Sequence, residues 1–283
     1  MTAREWLKRA EKKLTDAGVP DAAFDAACLW QAVTGKDWRL FDGALGEKDI
    51  LLNKLDNLLA KRAARYPLQY LVGEWEFYNI SLQVGQGVLI PRADTETIVD
   101  TALSLLQGRP VPAVADLCAG SGAIGCAIAH NKKGARVRCV ELSEEAFRWL
   151  VPNCARWGAE AVRGDIFTWQ DVLPDASLDL LVSNPPYVTE TEYAALEPEL
   201  AFEPKMALVA EQEGLAFYRH ITTAYKEKLK PGGALCFEIG WLQAEAIQEL
   251  LRQAGYENIR CVKDLSGNDR CICGNRPADG TVK

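Results

Sequence analysis

The sequence predicts an α/β fold: a doubly wound, Rossmann-like sheet of seven strands, the last one antiparallel, behind a small helical N-terminal domain and a linking β-hairpin. Three observations carry this. Strand and helix patterns alternate from residue 94 to residue 275. A G-x-G-x-x-G run follows the first strand of that series and opens a helix. Residues 1–70 carry three helical patterns instead. A length of 283 residues suggests roughly two domains.

Composition narrows the class. The chain is 48% hydrophobic and 25% charged, enough apolar mass for a full core, which excludes disorder along its whole length. No run of about 18 apolar residues occurs, so no membrane span is expected. A net charge of −7 lacks the positive field that draws proteins onto nucleic acid. Residues 1–14 read as an amphipathic helix, not a signal peptide. The cysteines, at 28, 118, 126, 139, 154, 236, 261, 271 and 273, lie mostly in apolar runs without a CxxC pair. Buried reduced thiols in a cytoplasmic protein are the reading. With His130 and His220 the only histidines, no metal is expected.

Thr2 and Glu5 form a T-x-x-E capping box, so a helix starts at Ala3 and stops near Gly18, before Pro20. A second helix covers 21–33 and ends at Gly35, with Phe24, Ala27, Cys28 and Gln31 on one face. A third runs from Glu47 to Ala64 on a stripe of Leu51, Leu55, Leu58 and Leu59. These form a bundle, the domain 1–70. Residues 75–90 alternate around a Gly-containing turn, a hairpin closed by Pro91 within a linker 71–93. The sheet domain, 94–275, starts with a helix at 94–107. Strands follow at 112–117, 136–141, 160–163, 178–183, 233–239, 257–263 and 269–274. Helices at 122–131, 143–157, 212–229 and 242–254 separate them. A short Ser-Gly-Asn-Asp turn makes the last two strands antiparallel neighbours. Residues 276–283 are a polar tail.

The glycine run is Gly120, Gly122 and Gly125, preceded by Asp116. Glycines at the carboxyl end of a strand let a ligand approach the backbone. Glu141 ends the next strand, 21 residues after Gly120, where an acid can bind ribose hydroxyls. Two ligands fit: a nicotinamide or flavin dinucleotide, or S-adenosylmethionine. Asp116 favours the second, because a carboxylate repels a pyrophosphate and suits a cationic methionine moiety. Asp165 has two balanced readings, contact with adenine or an ordinary turn or helix-start acid.

Asn184, Pro185, Pro186 and Tyr187 are the most informative stretch. Prolines cannot sit in a central strand, so the fourth strand ends near Ser183. Residues before proline are held extended. The turn is stiff, and the Asn184 side-chain oxygen and Pro185 carbonyl can accept both hydrogens of a planar –NH2 group. That suits methyl transfer to an amide or exocyclic amine, a weak nucleophile that gains from orientation and from stabilised positive charge. Tyr187 can pack on the flat substrate group.

These residues resemble the HemK/PrmC family of peptide chain release factor glutamine methyltransferases, along almost the whole chain. The matching stretches are 17–25, 67–73, Leu89–Glu96 (LIPRADTE), 116–125, Asn184–Tyr187 (NPPY), Phe202-Glu203-Pro204 with Ala207-Leu208, and Asp264, Gly267, Asp269 and Arg270. The resemblance implies a Rossmann-like S-adenosylmethionine-dependent methyltransferase domain. It further implies a helical domain that helps dock a bacterial-type release factor, and methylation of the side-chain amide nitrogen of the glutamine in that factor's Gly-Gly-Gln loop. It implies cofactor contacts from Asp116, Cys118, Ala119, Gly120, Ser121, Gly122, Glu141, Asp165, Ile166 and Asn184. Substrate contacts come from Asn184, Pro185, Pro186 and Tyr187. Arg92 and Glu96 lie in a family motif without an assigned role; an ion pair fixing the hairpin is one reading. Cys118 and Ala119 replace a frequent Gly-Thr, Glu141 a frequent Asp, Ala93 a frequent Pro, and Ile166 an aromatic residue found in some relatives. The alternatives are a ribosomal-protein glutamine, an amino group on nucleic acid, and a dinucleotide-dependent oxidoreductase, which leaves NPPY unexplained. A monomer is expected.

Overall fold

The computed structural model describes residues 1–41, 44–46 and 50–278. They divide into two compact units, one of Met1–Trp75, Val84–Gln86 and Glu197–Phe202, the other of Glu76–Gln83, Gly87–Leu196 and Glu203–Lys283.

The first unit is helical: α1 (Ala3–Asp16), α2 (Ala22–Thr34), α3 (Ile50–Ala63) and the short α4 (Leu68–Val72). Thr2 and Glu5 close the capping box on α1. Trp6, Ala10 and Leu14 of α1 pack with Leu29 and Trp30 of α2 and Leu55 and Leu59 of α3. The buried face of α2 is not the predicted one. Ala22, Asp25, Ala26, Leu29 and Trp30 point inward, while Phe24 is 57% exposed. The reason is an ion pair. Arg62 Nε donates to Asp25 Oδ2 at 2.6 Å, with both side chains buried, so a charged residue sits on the inner stripe and hides it from a hydropathy reading. Arg62 and Arg65 also grip Glu199, at 3.1 and 2.6 Å. The stripe of α3 is Leu52, Leu55, Leu59 and Arg62 rather than one containing Leu51 and Leu58. The predicted helix start at Glu47 and the end of the polar tail, 279–283, lie outside the described residues.

Strands β1 (Glu74–Phe77) and β2 (Ile80–Gln83) form a separate two-stranded sheet. Their turn contains no glycine, contrary to expectation. It is Tyr78-Asn79, both at positive φ (45° and 63°), the twist that two-residue hairpins require. Gly85 and Gly87 come after β2. Glu96 Oε1 accepts from the strained Tyr78 N–H at 3.0 Å, and the Tyr78 hydroxyl donates to Asp100. Glu96 therefore ties down the hairpin turn through a hydrogen bond rather than an ion pair.

The sheet unit continues with α5 (Glu96–Leu105), β3 (Ala113–Leu117), α6 (Ala123–Asn131), β4 (Arg136–Glu141), α7 (Glu144–Trp157), β5 (Glu160–Arg163), α8 (Ile166–Trp169), β6 (Leu178–Ser183) and α9 (Glu190–Tyr193). It closes with α10 (Glu211–Gly214), α11 (Ala216–Ala224), β7 (Leu229–Glu238), α12 (Ala244–Gln253), β8 (Glu257–Lys263) and β9 (Asp269–Asn275). Strand order is β5-β4-β3-β6-β7-β9-β8. All neighbours are parallel except β9, antiparallel to both β7 and β8. The sheet interior is a continuous apolar core through Leu117, Val140, Leu181, Leu235, Phe237 and Ile272, as strands covered on both faces require. The predicted helix 212–229 is broken. Gln212, Glu213 and Gly214 take positive φ, and a Cβ on Gly214 would stand 2.2 Å from the Tyr187 carbonyl oxygen, so the helix yields where the chain passes that carbonyl.

The chain runs from β3 outward to β4 and β5, then returns to place β6 on the other side of β3. That reversal leaves a crevice outside the carboxyl ends of β3 and β6. The glycine loop and the NPPY turn stand at those two ends.

Candidate active site

The loop after β3 is fastened mainly by side chains of the sheet unit. Asp116 ends up 1% exposed, with Oδ2 accepting from Gly125 N at 2.8 Å. Glu141, at the end of β4, accepts from Gly120 N at 2.8 Å and from Ser143 N at 2.7 Å. Asn153 of α7, fully buried, donates to the Ser121 and Gln83 carbonyls and accepts from Gln83 N. Ala119 N closes on the Val140 carbonyl at 3.0 Å.

The three glycines have different reasons. Gly120 (φ 57°) has open space where a Cβ would go, with Val88 3.8 Å away, and it lines the cavity. Gly122 (φ 83°) starts α6, and its Cβ would meet Leu150 at 2.7 Å; at Gly125 a Cβ would meet Cys139 Sγ at 2.3 Å. Those two glycines serve conformation and packing beneath the loop. Gly120 alone of the three leaves its backbone open to a ligand.

The turn after β6 is braced differently. Ser183 Oγ donates to the Leu117 carbonyl at 2.7 Å, joining the ends of β3 and β6. Tyr187 N and Val188 N both donate to the Leu208 carbonyl, and Gln243 Nε2 donates to the Tyr187 carbonyl at 3.2 Å. Between these anchors the two prolines hold Asn184 at the rim.

One cavity joins the two features. Cys118, Ala119, Gly120, Ser121, Glu141, Asp165, Ile166, Asn184 and Pro186 are all on its wall. Asp165 also caps α8 by accepting from Phe167 N at 2.9 Å, so its helix-start role and its place on the wall coexist. Four expected residues are not on the wall. Asp116 is turned beneath the loop by its bond to Gly125 N. Gly122 is inside the turn that starts α6. Pro185 is buried in its own turn. Tyr187, partly buried, packs against the sheet core beside Gly240.

Two wall residues carried no signal in sequence. Phe167 and Phe217 meet at 5.4 Å between ring centroids beside Asp165 and Ile166. Thr95 and Arg92, from the LIPRADTE stretch, also line the cavity. Arg92 pairs with Glu203, whose other oxygen accepts from Ile90 N at 3.0 Å; this Glu is the middle residue of the Phe-Glu-Pro run. Asn153, a lone polar residue after Pro152 inside a helix, has partners 32 and 70 residues away, which no local pattern announces.

Burial dominates the electrostatics. It pushes Asp116 up to about 8, against the Gly125 N–H, which favours the ionised form. Burial likewise pushes the Tyr187 hydroxyl up to about 12, leaving it neutral at working pH.

Comparison with known proteins agrees with this architecture. The PrmC N-terminal domain family model matches residues 5–73 and the methyltransferase small domain model matches 99–209. The release factor glutamine methyltransferase of Salmonella typhimurium is 36% identical over 277 residues, covering 97% of this chain and 99% of its own. That of Bordetella pertussis is 42% identical over 220 residues, 77% of this chain and 80% of its own. That of Fusobacterium nucleatum is 36% identical over 277 residues, 95% and 78%. Among solved structures, the hMettl16 catalytic domain superposes with a TM-score of 0.57 at 15% identity, over 85% of this chain and 86% of that one, a likeness of fold alone. With relatives this similar over more than three quarters of their length, the chain belongs to the release factor glutamine methyltransferase family.

Proposed function

We propose that this chain methylates the side-chain amide nitrogen of the glutamine in the Gly-Gly-Gln loop of bacterial-type release factors, using S-adenosylmethionine. The observation that carries the reading is the single cavity onto which both the glycine loop and Asn184 open. The cavity fits such a cofactor: Gly120 leaves its backbone open, and Glu141 retains lone pairs on both oxygens after binding the Gly120 and Ser143 N–H groups. S-adenosylmethionine supplies an electrophilic methyl group on a sulfonium.

The chain's own residues bind and orient. Cys118, Ala119, Gly120 and Ser121 present backbone to the cofactor, with Glu141 taking ribose hydroxyls. Asp165, Ile166 and the Phe167–Phe217 pair form the adenine side. The Asn184 oxygen accepts an N–H of the substrate amide, which holds the nitrogen and stabilises charge developing on it, while Pro185, off the cavity wall, stiffens the turn that carries Asn184. Asp116, Gly122 and Tyr187 act by holding loop and turn in shape. Residues 1–70 dock the release factor, and the protein works as a cytoplasmic monomer; no helix among the described residues is long and apolar enough to cross a membrane.

Incubation with methyl-labelled S-adenosylmethionine and unmodified release factor, followed by peptide mass spectrometry, tests this. Label on the Gly-Gly-Gln glutamine is the expected result. Label absent there, with cofactor binding intact, overturns the substrate and directs the search to ribosomal-protein glutamines and then nucleic acid.

A further inference from the structure

Glu238 ends β7 inside the sheet unit. It is 3% exposed, and its Oε2 is buried without a hydrogen-bond partner among the described residues. A buried acid left unpaired is costly and calls for an explanation. Its position supplies one. Strands β6 and β7 run parallel and in register through Ser183 and Phe237, so the next residues, Asn184 and Glu238, stand side by side at the strand ends. Asn184 and Thr95 are the polar side chains that face the carboxyl, although neither closes a full bond on Oε2.

Asn184 has a weakness that its prolines do not cure. Its oxygen and its –NH2 are nearly the same size, so rotating the amide by half a turn costs little in shape. One orientation presents an acceptor to the substrate –NH2. The other presents a second donor, which cannot bind it. Backbone geometry does not choose between them. An ionised carboxylate beside the amide does, because it can only accept.

This rests on the reading that Asn184 holds the substrate amide. On that basis we propose that Glu238 is a positioning residue: as carboxylate it accepts from the Asn184 –NH2 and thereby turns the Asn184 oxygen toward the reacting nitrogen. When protonated it can donate to that oxygen instead and draw it away. Burial pushes Glu238 up to about 7, so the choice falls within the working pH range. The other charged or titratable groups around it are Arg270 of β9, which favours the ionised form, and Asp94 ahead of α5, which opposes it. Cys271 of β9 stands opposite in register. Tyr187 and Tyr218 also act on it, and burial pushes both of their hydroxyls up, so they stay neutral while Glu238 titrates.

The test is kcat against pH from 6 to 9 for wild type, Glu238→Gln and Glu238→Asp, with release factor as substrate. KM for the factor and calorimetric Kd for S-adenosylmethionine are measured alongside. Wild-type kcat should fall on the acid side of about pH 7. Glu238→Gln should lose about 10- to 100-fold in kcat at pH 8, the size of a charge-assisted hydrogen bond, and should lose the acid limb. Its KM and cofactor Kd should stay within a few-fold, and Glu238→Asp should recover part of the rate. A merely structural acid predicts an unchanged kcat and profile in Glu238→Gln, which overturns the proposal. So does cofactor affinity that drops in step with kcat. Should Glu238→Gln not fold, a wild-type kcat that is flat from pH 6 to 8 overturns it equally. A wild-type enzyme that leaves the release factor unlabelled overturns the underlying reading, and the inference with it.

Discussion

The loop after β3 and the turn after β6 stand at neighbouring strand ends and are held by different means. In the loop, side chains from elsewhere bind the backbone: Asp116 takes Gly125 N, Glu141 takes Gly120 N, and Asn153 grips the Ser121 carbonyl. In the turn, two prolines remove freedom locally, and backbone bonds to Leu208 pin its far end. The loop is thus shaped before any ligand arrives and can bind a large cofactor at low ordering cost. The turn spends its rigidity on one polar side chain, Asn184. Binding should belong to the first region and turnover to the second.

The largest test of that division is Asn184→Ala. It should lower kcat by about 10³-fold, as for a lost group that stabilises developing charge, while the calorimetric Kd for S-adenosylmethionine moves by no more than a few-fold. Equal losses in both would merge the two regions into one binding site.

Asp116→Asn probes the loop's foundation through pH. A carboxyl whose folded-state value is raised above its unfolded value of about 4 adds stability at low pH that is lost as pH climbs through the folded value. Burial pushes Asp116 up to about 8, so the window is about pH 4 to 8. Asparagine stays neutral and keeps an acceptor for Gly125 N. In urea melts, stability of the variant relative to wild type should rise by roughly 2–4 kcal/mol between pH 5 and pH 9. A constant difference would mean that Asp116 remains ionised under the loop.

Glu141→Ala removes the acceptor of two backbone N–H groups as well as the proposed ribose contact. Cofactor Kd should rise by about 10- to 100-fold, and kcat at saturating cofactor should change far less. An unchanged Kd would remove Glu141 from the cofactor site.

How much of this was legible in the sequence follows the range of the interactions. The NPPY turn was legible because proline acts on its own neighbours. The succession of strands along the chain was legible because strands buried on both faces read as apolar runs, and the antiparallel closing pair because a short turn joins it; the side-by-side order β5-β4-β3-β6-β7-β9-β8 was not predicted. The face of α2 was not, since Asp25 is admitted to the core only by Arg62, 37 residues on. Asn153 and Glu238 were missed for the same reason: each is an isolated polar residue whose partner the fold supplies, and Glu203 was read only as part of the Phe-Glu-Pro run, without its pairing to Arg92. Asp116 and Tyr187, expected from their motifs to make contacts, lie off the cavity wall. Motif position shows that a residue belongs near a site, not which way its side chain turns. The hairpin turn was misassigned because Tyr78 and Asn79 take the positive φ expected of glycine, with Glu96, 18 residues on, accepting from the Tyr78 N–H.

The smallest test separates two glycines five residues apart. A Cβ at Gly125 would stand 2.3 Å from Cys139 Sγ and 3.0 Å from Asp116 Oδ2, so Gly125→Ala must push the core apart. It should cost about 1–3 kcal/mol of stability, seen as a lower Tm, with cofactor Kd little changed in the folded fraction because Gly125 is off the cavity wall. Gly120→Ala meets no protein atom closer than 3.8 Å, yet its methyl enters the cavity and its φ of 57° disfavours a side chain by about 1 kcal/mol. It should weaken cofactor binding by about 10-fold with a smaller shift in Tm. If the two variants fail in the same way, the loop is a single packed unit, and the distinction between a glycine that admits ligand and one that admits core does not hold.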